Sequence, residues 1–111
     1  MISPETLRQV IFALPEVTEE PHFEKTSFRV NKKIFATLGA DSMLCVKLTP
    51  ADQDIFTVFD KAAIYSVPNK WGQQGWTNIN LDRVRLDMLT DALKAAYCNV
   101  APKLAALVKP D

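Results

Sequence analysis

The sequence is poor in the residues that most active sites use: among 111 residues it has one histidine, two cysteines and three glycines. The single histidine, His22, excludes a site with several histidine ligands and a relay between two histidines. Gly72 and Gly75 form no phosphate-binding loop, because no Lys-Ser/Thr pair follows them. Cys45 and Cys98 lack CxxC spacing and a base nearby in sequence, so we predict small buried thiols in a reducing cytoplasm. We therefore predict a non-enzymatic protein without metal or cofactor.

Excess charge and long apolar runs are also missing. Thirteen Lys and Arg residues balance thirteen Asp and Glu residues, so the molecule as a whole is not a polycation. No apolar run approaches the ~18 residues of a membrane span, and Met1–Glu5 has no features of a signal peptide. Hydrophobic residues make up 48% and charged residues 23%, as in globular domains. A chain of this length supports one hydrophobic core, so we predict a single domain over residues 1–111.

Helix starts are marked by a capping residue followed by proline. Ser3-Pro4 and Thr49-Pro50 each place a hydroxyl at the N-cap and proline at the first helical position. An apolar periodicity of three and four residues over 86–100 predicts a long C-terminal helix that kinks or restarts at Pro102.

Strands are indicated where the apolar period changes to two residues. Over residues 17–48, short strands joined by turns of two to four residues predict an antiparallel meander, and residues 69–75 are predicted to be a loop. The predicted fold class is α+β, an antiparallel sheet with helices packed on one face. The predicted strands are Val17–Phe23, Ser27–Val30, Lys33–Leu38, Met43–Leu48, Ala63–Val67 and Trp76–Leu81.

Alternation along the strands predicts two different faces of the sheet. The predicted core face is apolar and, apart from Phe28, aliphatic; it consists of Phe28, Val30, Ile34, Ala36, Leu38, Leu44, Val46, Leu48, Ile79 and Leu81. The opposite parity mixes cations, aromatic rings and amides: Arg29, Lys33, Phe35, Thr37, Met43, Cys45, Lys47, Trp76, Asn78 and Asn80.

Charge is segregated along this neutral chain. Residues 16–24 contain four glutamates, whereas residues 29–47 and residues 61–85 each contain four cations and one carboxylate. Cations interleaved with aromatic rings on an open sheet are typical of surfaces that bind nucleic acid. In the structural alternative, Phe35 and Trp76 bury each other while Arg29 and Lys47 pair with the acidic strand.

The ordered set of these segments resembles the MmcQ/YjbR family. The segments are Leu14-Pro15-Glu16, residues 26–38, Val46–Pro50, Gly75–Ile79 and Ala96-Tyr97. The resemblance implies a CyaY-like (frataxin-like) fold and a double-wing DNA-binding protein. It brings no catalytic residues to this chain. The frataxin-like fold also implies metal binding through acidic residues, but here the acidic run is shorter and lies before the sheet, not along a long first helix.

Two functions remain open at this point. The first is weak DNA binding by the basic and aromatic face, for which we nominate Arg29, Lys32, Lys33, Lys47, Lys70 and Trp76. The second is a protein-interaction or small-ligand-binding module that uses Trp71 and Trp76 around the glycine-containing loop. A continuous positive stripe would favour nucleic acid, and a concave aromatic pocket rimmed by mixed charge would favour a ligand or partner.

Overall fold

The computed structural model describes the backbone of residues 1–107 and the side chains of residues 1–104. The last four residues of the predicted domain lie outside this range. The helices are α1 (Pro4–Phe12), α2 (Pro50–Phe59), the single turn α3 (Lys70–Gln73) and α4 (Leu86–Val100), followed by a 3₁₀ helix (Pro102–Leu107). The strands are β1 (Thr18–His22), β2 (Lys25–Val30), β3 (Lys33–Leu38), β4 (Met43–Lys47), β5 (Ile64–Ser66) and β6 (Trp76–Asn80).

The helix starts predicted from the capping residues are confirmed. The Ser3 hydroxyl accepts a hydrogen bond from the backbone N–H of Thr6 at 3.1 Å. The Thr49 hydroxyl accepts one from the backbone N–H of Asp52, also at 3.1 Å. Each bond satisfies a backbone donor that has no partner within the first turn of the helix. The predicted restart at Pro102 is also confirmed, because the 3₁₀ helix begins there.

The six strands form one antiparallel sheet in the order β1-β2-β3-β4-β6-β5. The predicted meander is right for the first four strands. Asn31 and Lys32, both at positive φ, form the tight turn predicted between β2 and β3. The last two strands do not continue the meander, because α2 carries the chain past β4 to the sheet edge. Strand β6 then returns between β4 and β5.

A β-bulge in β3 reverses part of the face assignment made from sequence. Phe28 pairs with Ala36 and Arg29 pairs with Ile34, so Phe35 is the extra residue. Phe35 therefore turns toward the helices, where it is fully buried. Its ring packs edge-on against Tyr97 of α4, with ring centroids 5.8 Å apart. The predicted burial of Phe35 against Trp76 is wrong, and Ile34 takes the place expected for Phe35.

The core lies between the sheet and the helices, with Tyr97 at its centre. Tyr97 is fully buried, and its hydroxyl donates a 2.7 Å hydrogen bond to the carbonyl oxygen of Pro15. This hydrogen bond connects α4 to the segment that follows α1. It also gives the buried Tyr97 hydroxyl a hydrogen-bond partner, which buried polar groups require. The largest fully buried side chains are Tyr97, Phe28, Phe35, Leu7, Ile11, Leu44, Leu48, Ile64, Ile79, Leu81, Leu89 and Leu93.

Alkaline pH should destabilise this core. Burial raises the pKa of Tyr97 and of the Cys45 and Cys98 thiols above their ordinary values of 10.0 and 9.0. The folded state therefore keeps protons that the unfolded chain releases, and the free energy of unfolding falls as pH rises through this range. Urea unfolding between about pH 8 and about pH 11 measures the slope. Tyr97→Phe should flatten the slope above pH 10; a slope unchanged in that variant would contradict the role given to Tyr97.

Candidate nucleic-acid interface

Helices α1, α2 and α4 lie on one side of the sheet, and the other side is here called the open face. Strand pairing assigns side chains to it, because paired residues in an antiparallel ladder point to the same side. The open face comprises Thr18, Glu20, His22, Lys25, Ser27, Arg29, Ile34, Thr37, Met43, Cys45, Lys47, Tyr65, Trp76, Asn78 and Asn80.

Lys47 and Trp76 form a cation–π pair on this face. They are direct cross-strand partners on β4 and β6, and the Lys47 ammonium lies 5.3 Å from the centre of the Trp76 ring. Both side chains are half-buried. None of the three ion pairs within the described side chains involves Lys47. The alternative in which Lys47 pairs with the acidic strand is therefore wrong.

For Arg29 the same structural alternative is confirmed. The Arg29 Nε donates a 3.0 Å hydrogen bond to the Ser27 hydroxyl and lies 3.8 Å from a carboxylate oxygen of Glu20 on β1. The side chain is half-buried. Its charge is thus partly compensated on the open face, which leaves Arg29 a weaker candidate for phosphate contact than Lys47.

The other nominated cations are exposed, and none of them lies on β4 or β6, the strands that carry this pair. Lys32 lies in the turn between β2 and β3, and Lys70 is the first residue of α3. Lys33 pairs with Val30, so the bulge places it on the side of the sheet that faces the helices. The expectation that Arg29, Lys33 and Lys47 share one face is therefore wrong for Lys33.

Sequence reasoning missed Lys25, an exposed cation at the start of β2 on the open face. The signal was present, because Lys25, Ser27 and Arg29 share one strand parity. The sequence prediction omits Lys25 because its second strand begins at Ser27, two residues after the start of β2.

A pocket of about 300 Å³ opens on this face beside Trp76. This volume is at the lower end of the range for small-molecule sites. Trp76 and Trp71 both line it, and Cys45 is part of its floor. The eight lining side chains are His22, Lys25, Ile34, Thr37, Cys45, Val67, Trp71 and Trp76.

Helix α2 and strand β4 hold the segment that carries the two tryptophans. The Gln53 side-chain amide donates to the carbonyl oxygens of Gly72 and Trp76 at 3.0 and 3.2 Å. It also lies 3.1 Å from the Thr77 hydroxyl. The backbone N–H of Leu48 donates to the Gly75 carbonyl at 2.9 Å. Residues 69–75, expected as a loop, contain α3, whose first turn is capped by the Asn69 side chain.

The family is decided by a sequence comparison that spans most of the chain. The sequence model of the YjbR family matches residues 12–99. This chain belongs to the YjbR family. The matched residues run from the end of α1 to the penultimate residue of α4, so they include the whole sheet and the pocket.

The YjbR fold is also found in a solved structure. The crystal structure of Deinococcus radiodurans protein DR2400, with its DUF419 domain, superposes with a TM-score of 0.76 and 21% sequence identity. The match covers 93% of this chain and 84% of that protein. It supports the α+β architecture predicted from sequence. No curated protein matches this YjbR-family chain.

The cysteines of this YjbR domain are free thiols. Both are half-buried instead of buried as predicted. Burial raises the pKa of the Cys45 thiol, and the nearby Lys25 ammonium opposes that shift only in part. Cys45 is therefore held as a neutral thiol at neutral pH, which suits a pocket lining better than a nucleophile.

The acidic run of the YjbR domain is divided between ion pairs and solvent. Arg8 of α1 donates two hydrogen bonds to the Glu19 carboxylate at 2.9 and 3.0 Å, and the pKa of Arg8 is raised mainly by this contact. Glu20 faces Arg29, whereas Glu16 and Glu24 are exposed. Within the described side chains, no three His, Cys, Asp or Glu residues come close enough to hold a metal ion. No helix among the described residues is long and apolar enough to cross a bilayer.

Proposed function

We propose that this YjbR-family protein binds nucleic acid, DNA in the first instance, through the open face and without catalysing a reaction. The observation that carries the proposal is the Lys47–Trp76 pair, a cation held against an indole at the mouth of an aromatic pocket. Proteins that bind single strands place bases on aromatic rings and phosphates on neighbouring cations. An aromatic ring beside a cation favours unpaired bases as the ligand, because the faces of a base in a duplex are covered by the neighbouring base pairs.

The charges of the open face support weak binding. Lys25 and Lys47 are without a carboxylate partner among the ion pairs of the described side chains, while Arg29 is shared with Glu20. The whole chain has a net charge of zero, so long-range attraction to a polyanion is small. We therefore infer two to four phosphate contacts at most, with the free thiols consistent with a cytoplasmic setting.

Binding without catalysis fits the chemistry of the pocket. Its one thiol, Cys45, has a raised pKa and is a poor nucleophile at neutral pH. The His22 ring packs edge-on against Phe23, with ring centroids 4.8 Å apart. The hydrogen bonds that the structure describes for the pocket residues do not join a base to a nucleophile, which is the usual sign of an activated nucleophile.

A small planar ligand is the second candidate, and the concavity of the pocket favours it. A surface that only tracks a nucleic-acid backbone has no need of a pocket of about 300 Å³ between two tryptophans. In this case the aromatic walls would hold a free aromatic compound, and Lys25 would meet an anionic substituent.

Salt dependence separates these two candidates. Single-stranded DNA should bind at about 50 mM salt, and the logarithm of the affinity should fall against log salt with a slope of about −1.4 to −2.8, as for two to four phosphates. Duplex DNA of the same length should bind more weakly, because its bases are stacked. Fluorescence anisotropy of labelled 20-mers measures both. Absence of binding to either DNA at low salt would refute the proposed function.

A further inference from the structure

The pocket beside Trp76 has the walls and the charges of a site for one unstacked base. We infer that it takes a single base of a nucleic-acid strand between Trp71 and Trp76, with the phosphate of that nucleotide near Lys25 or Lys47. The inference rests on the proposed nucleic-acid binding and names the part of the ligand that this site recognises. The ligand chemistry is a planar base joined to a phosphate.

The walls of the pocket are suited to a flat ring. Trp71 is 58% exposed although it borders an apolar pocket, so it presents a large ring that packing within the domain does not cover. Trp76 on β6 also lines the pocket, and Ile34 lines it because the bulge in β3 turns this side chain to the open face. Every base has a π-face that stacks on such rings, so stacking alone does not select one base.

Charge around the pocket favours an anionic ligand. Lys25 lines the pocket, and the Lys47 ammonium lies against the ring of Trp76. The residues that line the pocket include no Asp or Glu. The Thr37 hydroxyl and the His22 ring supply the hydrogen-bonding groups that a base edge requires.

A second cleft next to this pocket extends the site toward the β1–β2 hairpin. It has a volume of about 590 Å³; it shares His22 and Lys25 with the first pocket, and Phe23 and the exposed carboxylate of Glu24 complete its lining. Phe23 lines it from the tip of the β1–β2 hairpin, where the side chain is 94% exposed and the residue has a φ of +58°. This φ belongs to the two-residue turn between His22 and Lys25, and the turn leaves the Phe23 ring uncovered by the rest of the domain. When one base of a strand occupies the pocket, the neighbouring base stacks on Phe23. A free nucleotide has only one base and cannot make both contacts.

The test uses a short DNA strand in which every position is abasic except one, which carries 2-aminopurine. Stacking between the tryptophans should quench the fluorescence of this base, and strand binding should slow alkylation of Cys45 relative to Cys98. Trp71→Ala should weaken binding of the strand about 5- to 150-fold, the range for loss of one stacked base. Phe59→Ala is the matched control, because Phe59 is 78% exposed on α2 and does not line the pocket; it should leave binding unchanged.

The other outcomes are distinguishable. If the strand binds but its base stays bright and Cys45 reacts at its unprotected rate, the base site is refuted while nucleic-acid binding stands. If 2-aminopurine deoxyriboside monophosphate binds as tightly as an unmodified strand, the pocket is a nucleotide site and the assignment to a strand is overturned. If neither the test strand nor an unmodified one binds at about 50 mM salt, the proposed function falls together with the inference.

Discussion

Replacing Lys47 with glutamate should abolish most nucleic-acid binding and leave the stability of the fold nearly unchanged. Lys47 lies against Trp76 at the pocket, so reversing its charge turns an attraction for phosphate into a repulsion. None of the ion pairs in the described side chains includes Lys47, so no buried carboxylate is left unpaired by the change. Loss of the cation–π contact costs about 0.5–1 kcal/mol. Anisotropy titration and urea unfolding of the same preparation measure the two effects.

Lys103→Glu is the control for this substitution. Lys103 is exposed on the 3₁₀ helix that follows α4, and the substitution makes the same change in net charge. It should reduce binding only slightly, through the long-range field. A large fall in melting temperature for Lys47→Glu with binding intact would show that Lys47 has a structural role and that the open face is not the interface.

Gly75→Ala should destabilise the fold by about 3 kcal/mol or more. Gly75 has a φ of +104°, which residues with a side chain rarely adopt. A Cβ on Gly75 would lie 1.9 Å from the carbonyl oxygen of Leu48, a backbone atom that cannot turn aside. The two segments approach this closely because the Leu48 N–H bonds to the Gly75 carbonyl. Separating them would also move Trp76, the next residue, so any folded fraction should bind DNA weakly.

Gly39→Ala is the matched substitution for this comparison. The nearest atom to a Cβ on Gly39 is a carboxylate oxygen of Asp41 at 2.8 Å, the end of a flexible side chain that can rotate away. We expect a change within about 1 kcal/mol in urea unfolding. Equal losses of stability in the two variants would mean that neither the positive φ nor the contact with Leu48 is what requires glycine at position 75.

Local features of this chain could be predicted from sequence because their physics is local. A hydroxyl followed by proline determines where α1 and α2 begin, as the bonds to Ser3 and Thr49 confirm. The tight turn at Asn31 and Lys32 follows from the shortness of the connection between two strands. Family membership was also within reach of the sequence, because the matching segments extend over most of its length.

The composition of the open face could be predicted only in part. Trp76 and Lys47 lie where strand parity puts them, since they belong to strand segments with unbroken pairing. Arg29 does so as well, because the extra residue lies in β3 and the alternation along β2 is not interrupted. Lys33 and Phe35 lie on the opposite side from the one predicted. One extra residue in β3 reverses the side of the sheet on which every side chain between the bulge and the turn lies. A prediction from strict alternation assumes that no such residue is inserted.

The sequence by itself determined the α+β class, the helix starts and which residues carry charge and aromatic surface. Only the tertiary structure decided the strand order, the bulge and the pocket. Strand β6 lies between β4 and β5 because α2 carries the chain past β4 to the sheet edge before β6 returns, and that position brings Trp76 beside Lys47. Phe35 turns inward because Tyr97 of α4 offers its ring a buried partner, which sends Ile34 to the pocket floor. These choices depend on contacts between residues distant in sequence, and the free energy of such contacts is set by packing in three dimensions.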